Sequence, residues 1–325
     1  MNRHLKPLLA TIAIFLFAYA MAVAQFPAML STRVIANLLT DNAFLGIAAV
    51  GMTFVILSGG IDLSVGAVIG FTTVLIAVLV MWAGLHPLIA YAIALSVTAA
   101  FGAAMGAAIH YLKVPSFIVT LAGMFLARGS ASVLSPDSIG IKHSFYTAVS
   151  KAYILLPGGG RLTAIGILML LVFAFGILLA HRTRFGAYVY ALGGSETSAA
   201  LMGVPVARTT ILVYTLSSTL AGLAGVVFSL YTSAGYSLNA LGMELDAIAA
   251  VVIGGTLLTG GYGLVAGTLV GVLMQGLVQT YIVFDGTLSS WWTKIVIGAL
   301  LFMFIVLQRL IFRVSSRRRG ALWTP

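Results

Sequence analysis

The sequence has no cysteine, which excludes disulfides, thiolate nucleophiles and cysteine-bound metals. Acid is scarce as well: seven Asp plus Glu stand against 17 Lys plus Arg. Only 7% of the 325 residues are charged, where a soluble domain carries about 25%. Few residues remain for general acid–base chemistry, and nothing supplies a nucleophile with an orienting base. Five scattered histidines form no metal-ligand spacing. The glycine runs at 57–60 and 158–161 lack the Lys-Ser/Thr that completes a phosphate loop. No haem, zinc or flavin signature is present. The chain is therefore expected to be no enzyme, to bind no cofactor and to hydrolyse no ATP itself.

Apolar residues are what the chain has in abundance. They make up 61% of it, with a mean hydropathy of +1.13. Several runs reach the roughly 20 residues that span a bilayer. The expected fold is an all-α polytopic membrane protein, one transmembrane domain over 1–325. The runs predict about ten spans, near 8–26, 42–57, 63–82, 88–109, 115–134, 162–180, 209–229, 244–258, 264–284 and 291–310. The first run also resembles a signal peptide, but its length and the runs behind it favour a retained helix. The run at 42–57 is short for a full span.

The net charge of +10 would suggest nucleic acid in a soluble protein. Here it fits the positive-inside bias of membrane loops, and no nucleic-acid partner is expected. An even span count groups Arg3, Lys6, Lys113, Arg182, Arg184, Arg208, Arg309, Arg313, Arg317, Arg318 and Arg319 on one side, read as cytoplasmic. Arg33, Lys142, Lys151 and Arg161 fall on the other. Both termini are then cytoplasmic, with lipid as the surrounding partner.

Residues 41–70 are almost wholly apolar, yet Ser58-Gly59-Gly60-Ile61-Asp62 breaks them. A carboxylate inside a bilayer is costly, so Asp62 reads either as a residue on a solute path or as a cap for the following helix. A break near the cytoplasmic end of its segment favours the cap. A shift of 195 residues superposes Gly59, Gly60 and Gly66 on Gly254, Gly255 and Gly261, a faint repeat of the kind transporters carry. Helix packing through small residues is the competing explanation.

Polar residues inside the apolar runs are candidates for contact with a neutral, many-hydroxyl solute. They are Gln275 and Gln279, four apart on one helix face, with Asn42 and Thr53. Hydrogen bonding between helices is the alternative for each. Phe44 could stack on a sugar ring. Glu244 and Asp246 suit a helix first turn. The connector 181–208 is the informative soluble piece. Ser195 can cap a short helix over 196–202, with Ser198 its rival, and Gly203 and Pro205 end it. Such a helix could dock a partner or lie against lipid headgroups.

The run Gly59-Gly60-Ile61-Asp62-Leu63-Ser64-Val65-Gly66 resembles the hallmark of permease subunits of bacterial ABC importers for ribose-type monosaccharides. Residues 186–205 resemble that family's coupling region, and the block from Gly254-Gly255-Thr256 to Gly271 resembles its second glycine-rich block. Further runs at 31–34, 40–66, 157–161, 181–186, 244–261 and 284–294 are most similar to the galactofuranose-importing branch. Ala187 and Ser195 depart from the family pattern, where arginine and asparagine are common. The resemblance implies ATP-driven sugar import with three partners: a cytoplasmic ATPase that binds ATP and Mg, a second homologous permease, and a periplasmic sugar-binding protein. It implies coupling through Ser195, Glu196, Ser198, Leu201, Met202 and Gly203. It also implies a helix cap or hinge at Gly59, Gly60, Asp62, Gly66, Gly254 and Gly255. The sugar could instead be ribose, xylose or another monosaccharide. Secondary transport driven by H⁺ or Na⁺, with Asp62 as the coupling acid, is the rival class, and a passive sugar channel a third.

Overall fold

The structure is a computed structural model that describes residues 5–289 and 291–320, with side chains described over 8–289 and 291–306. Arg3 and the side chains of Lys6, Arg309, Arg313, Arg317, Arg318 and Arg319 lie outside that description. Helix α1 (Leu5–Gln25) leads through a 3-10 turn at Pro27–Leu30 to α2 (Thr32–Asp41). The chain bends 54° at Asn42 into α3 (Ala43–Leu57). Then come α4 (Val65–Met81), α5 (Pro87–Tyr111) and α6 (Ser116–Leu134). A loop unit follows, made of β1 (Ile139–Gly140), α7 (Ser144–Ser150), β2 (Tyr153–Leu155) and β3 (Arg161–Thr163). Helix α8 (Ala164–Arg182) enters the connector helices α9 (Arg184–Gly194) and α10 (Glu196–Leu201). The long α11 (Val206–Thr232), β4 (Ala234–Gly235), α12 (Met243–Ile253), α13 (Val265–Asp285) and α14 (Trp291–Gly320) complete the chain. The strands form two antiparallel ribbons, β1 with β4 and β2 with β3.

Helix α3 is the centre. It is apolar around its whole circumference, which suits a site inside protein or lipid and none in water. Fourteen of its fifteen residues are buried, against α8, α11, α12 and α13.

Every apolar run read from the sequence is helical, but the expectation of about ten spans is wrong. Among the described residues six helices are long and apolar enough to cross a bilayer: Leu8–Gln25, Pro87–Tyr111, Ser116–Leu134, Ala164–Arg182, Val206–Thr232 and Val265–Asp285. The bent pair α2 and α3 makes a seventh if taken as one span. The reason is length. At 15 and 11 residues, α3 and α12 reach only about 22 and 16 Å, short of the roughly 30 Å hydrocarbon core. Helix α4, with 17 residues, is also short. A tally of apolar runs counts such buried half-length helices as spans. The sidedness of the termini, which rested on an even count of ten, loses that support.

Both short helices end in the same turn. After α3, Gly59 N–H donates to Ile56 O and Gly60 N–H to Val55 O; after α12, Gly255 donates to Val252 O and Thr256 to Val251 O. These are Schellman caps, which need a left-handed residue. Gly59 and Gly255 supply it with φ of 85° and 93°. Gly59 therefore matches Gly255, one residue off the 195-residue shift, and Gly66 has no partner in Gly261. Gly66 lies inside α4, whereas Gly261 lies in the loop after α12.

Candidate functional site

Three glycine pairs from separate parts of the chain meet at one end of α3. Gly261 N–H donates to Leu57 O at 2.9 Å, so the second break bonds the carbonyl left open by the first helix. A Cβ on Gly260 would lie 2.8 Å from the Gly59 backbone, and one on Gly261 would lie 2.9 Å from Gly194 N. Gly193, in the last turn of α9, fits against Leu57 O and Gly261 N with no room for a side chain. Tyr190 ties α9 to the same loop, donating to Gly263 O at 2.8 Å. Burial pushes its phenol up to about 12, so it stays a donor at neutral pH.

Beside this junction stands α10. Ser195 caps it, accepting from Ser198 N–H at 3.2 Å, while the Ser198 side chain is exposed. Gly203 closes it in a third Schellman cap at φ 82°. Glu196 lies 3.8 Å from Lys113, an exposed pair worth little by itself. Leu201 and Met202 are 86% and 72% exposed, large apolar side chains turned away from the protein. The helix body is Glu196–Leu201, one residue shorter than the 196–202 read from the sequence.

Asp62 is fully buried beneath this end, between α3 and α4. Oδ1 accepts from Ser64 N–H at 2.9 Å and Ser64 Oγ at 2.6 Å, and Oδ2 accepts from Ser217 Oγ of α11 at 2.7 Å. Ser64 holds the cap position of α4, and Asp62 organises the turn before it. Gly66 leaves space for Ala240 O and the Glu244 carboxylate.

At the opposite end of α3 lies a cavity of about 730 Å³. Asn42, Phe44, Gln275 and Gln279 line it, together with Asp41, Tyr231, Asp246 and Lys294. Asn42 Nδ2 donates to Leu38 O at 2.8 Å, and Gly276 has no side chain where the amide packs. Gln275 Nε2 donates to Asp246 O at 2.9 Å. Phe44 packs at a tilt against Phe228 and edge-on to Tyr231, with ring centroids 4.7 and 5.8 Å away. Tyr231 donates to Asp41 at 3.1 Å. Lys294 bridges both Asp246 oxygens at 2.7 and 2.6 Å, joining α14 to α12. Thr53 is not at the cavity. It is fully buried and shares a 2.8 Å hydrogen bond with Thr268, which ties α3 to α13.

Two cations escaped the tally of loop charges: Lys294, at the cavity, and Arg128, in the middle of α6. Both are visible in the sequence as charges inside apolar runs, the signal that marks function in membranes.

A multi-helix membrane protein with an amide-lined cavity at one end of its central helix and a surface helix at the other has the plan of a transport permease. The chain belongs to the family described as branched-chain amino acid transport system / permease component, whose model matches residues 34–305. Members of this family are transport permeases and not enzymes. The chain is 62% identical to the inner membrane ABC transporter permease protein YjfF of Escherichia coli K12, over 93% of this chain and 92% of the relative. It is 39% identical to the fructose import permease protein FruG of Bifidobacterium longum, over 98% and 95% of the two chains. It is 34% identical to the ribose import permease protein RbsC of Bacillus subtilis, over 87% of each. No solved structure matches the chain.

Proposed function

We propose that this chain is a membrane permease subunit of an ATP-driven monosaccharide importer. The relatives that transport fructose and ribose support a sugar over the amino acids of the family description. Asn42, Gln275 and Gln279 are neutral groups that both donate and accept, which suits hydroxyls, and Phe44 offers an apolar ring edge. Thr53 drops out of the solute path and serves helix packing.

The observation that carries this reading is the junction of α9 with both glycine breaks. Helix α10 presents Leu201 and Met202 to a cytoplasmic ATPase that holds ATP and Mg. Its neighbour α9 abuts Leu57 at the foot of α3 and Gly261 ahead of α13. Movement of the connector therefore reaches both helices whose far ends line the cavity. ATPase closure shifts the permease only through contacts that differ between its states. By the positive-inside bias the arginines of 181–208 favour a cytoplasmic connector, which turns the cavity toward the periplasm and a sugar-binding protein. A second permease completes the path.

Secondary transport is disfavoured at Asp62, since both its oxygens already accept hydrogen bonds from serines. Among sugars, the resemblance in the chain's own motifs points to galactofuranose, whereas the names of the relatives point to ribose, fructose and xylose. The test is affinity purification from membranes, reconstitution of the recovered complex with its binding protein, and ATP-dependent uptake of these four sugars. Co-recovery of an ATPase and a second permease with uptake of one sugar supports the proposal. Uptake that persists without ATP contradicts it.

A further inference from the structure

Residues 236–242 form an irregular strap that runs beside α4 and supplies part of the cavity wall. Gly235 packs against Thr73 O, Gly70 faces Ser237 O and Asn239 O at 3.0 Å from its Cβ position, and Gly66 faces Ala240 O. The strap thus follows two turns of α4 from Thr73 toward Gly66. Irregular backbone at this depth is tolerated only where protein satisfies its polar groups. Within the strap Asn239 N–H donates to Tyr236 O at 3.0 Å, and Met243 N–H of α12 donates to Ala240 O at 3.1 Å. Thr73 Oγ1 accepts from Tyr236 N–H and Asn239 Nδ2, each at 3.3 Å. Arg128 Nη1 donates to Ser237 O and, at 2.8 Å, to Asn239 O. On the cavity side stand Leu238, Ala240 and Leu241. Ala240 is held at φ 58° and Gly242 at 79°, the first a conformation that an L-residue resists by about 1–2 kcal/mol. At its start the strap is tied to the loop unit by the β1–β4 ribbon and by Ile141 N–H donating to Ser233 O at 2.8 Å.

One group nearby lacks a partner. Glu244 Oε2 is buried with no hydrogen bond and packs at Gly66, one turn of α4 from Gly70, where Arg128 Nη1 packs. A guanidinium that holds two carbonyls beside a carboxylate with one oxygen free of hydrogen bonds has a second arrangement available to it. We propose that the strap is a gate of the sugar cavity and that Arg128 is its latch, bonding the strap carbonyls when the gate is closed and exchanging them for Glu244 when it opens. Charge-assisted bonds of both kinds keep the cation paired in either state. The inference rests on the transport reading above, and it makes Arg128 a positioning residue that acts through the strap.

The absence of cysteine makes the test direct. Ser237→Cys places a thiol on the strap where the side chain is only 3% exposed. The labelling rate with a membrane-impermeant maleimide is measured in the purified complex in lipid vesicles. Arg128→Ala is expected to raise that rate at least fivefold in the resting complex. Leu155→Cys, on the exposed strand β2 of the loop unit, should label at an unchanged rate. Labelling of Ser237→Cys is expected to accelerate during ATP-driven turnover with loaded binding protein, and Glu244→Gln should keep the slow resting rate and abolish that acceleration. If the Arg128→Ala complex is not recovered, Arg128→Gln is scored by the same criterion. Equal labelling of Ser237→Cys with and without Arg128, or a parallel rise at Leu155→Cys, would overturn the latch. Loss of ATP-driven uptake in the complex with Arg128 and Glu244 intact would instead count against the transport reading, and the resting-rate comparison would still decide the latch.

Discussion

At Asp62 a buried carboxylate is satisfied by three donors and no cation. Asp62→Ala strands the Ser64 N–H and the Ser217 hydroxyl, a loss of about 1–3 kcal/mol for each donor left unpaired. The expected result is a lower thermal unfolding midpoint of the detergent-solubilised complex, with a smaller drop for Asp62→Asn. Gln275 has a different position, with one bond to Asp246 O and an amide on the cavity wall. Gln275→Leu should depress sugar uptake severalfold while the complex is still recovered at its usual yield. Asn42, Gln275 and Asp62 were legible in the sequence because polar side chains stand out in apolar runs. Their roles were less so: Thr53 has the same chemistry as a path residue, and only the packing of α3 on α13 assigns it to a helix contact. Arg128 and Lys294 carried the same signal, and their partners come from parts of the chain that no local spacing connects.

Between elements, two adjacent glycines separate close packing from free space. A Cβ on Gly193 would collide with the Leu57 carbonyl and the Gly261 amide, whereas one on Gly194 would meet nothing within 4 Å. Gly193→Ala should therefore weaken ATP-coupled uptake and stability, and Gly194→Ala should leave both near their original values. Helices α12 and α14 are joined by the Asp246–Lys294 pair, with side chains 20% and 54% exposed. Reversing one charge should lower uptake, and reversing both, Asp246→Lys with Lys294→Asp, should recover part of it. Helix positions were readable from the apolar runs, because hydrophobicity and glycine breaks are local. Span number was not. Whether an apolar helix of 11 to 17 residues crosses a membrane or ends inside the protein depends on what surrounds it: α3 ends against the glycine loop after α12, and α12 ends at Gly254 against Gly267 of α13. The repeat was likewise off by one residue. Glycines were matched by identity there, whereas the caps match by hydrogen bond.

For the molecule as a whole, cavity and connector lie at opposite ends of α3, joined by a helix with almost no exposed surface. That arrangement suits a subunit that receives a solute at one end and mechanical work at the other. On the proposed function that work comes from a partner ATPase, and this chain carries no phosphate loop of its own. The most direct measurement is uptake of labelled sugar by vesicles containing the purified complex and its binding protein, with ATP supplied on the ATPase side. The account predicts accumulation that requires ATP and falls sharply when Leu201 and Met202 are both changed to Asp. Accumulation that proceeds without ATP, or that is indifferent to those two substitutions, would contradict it.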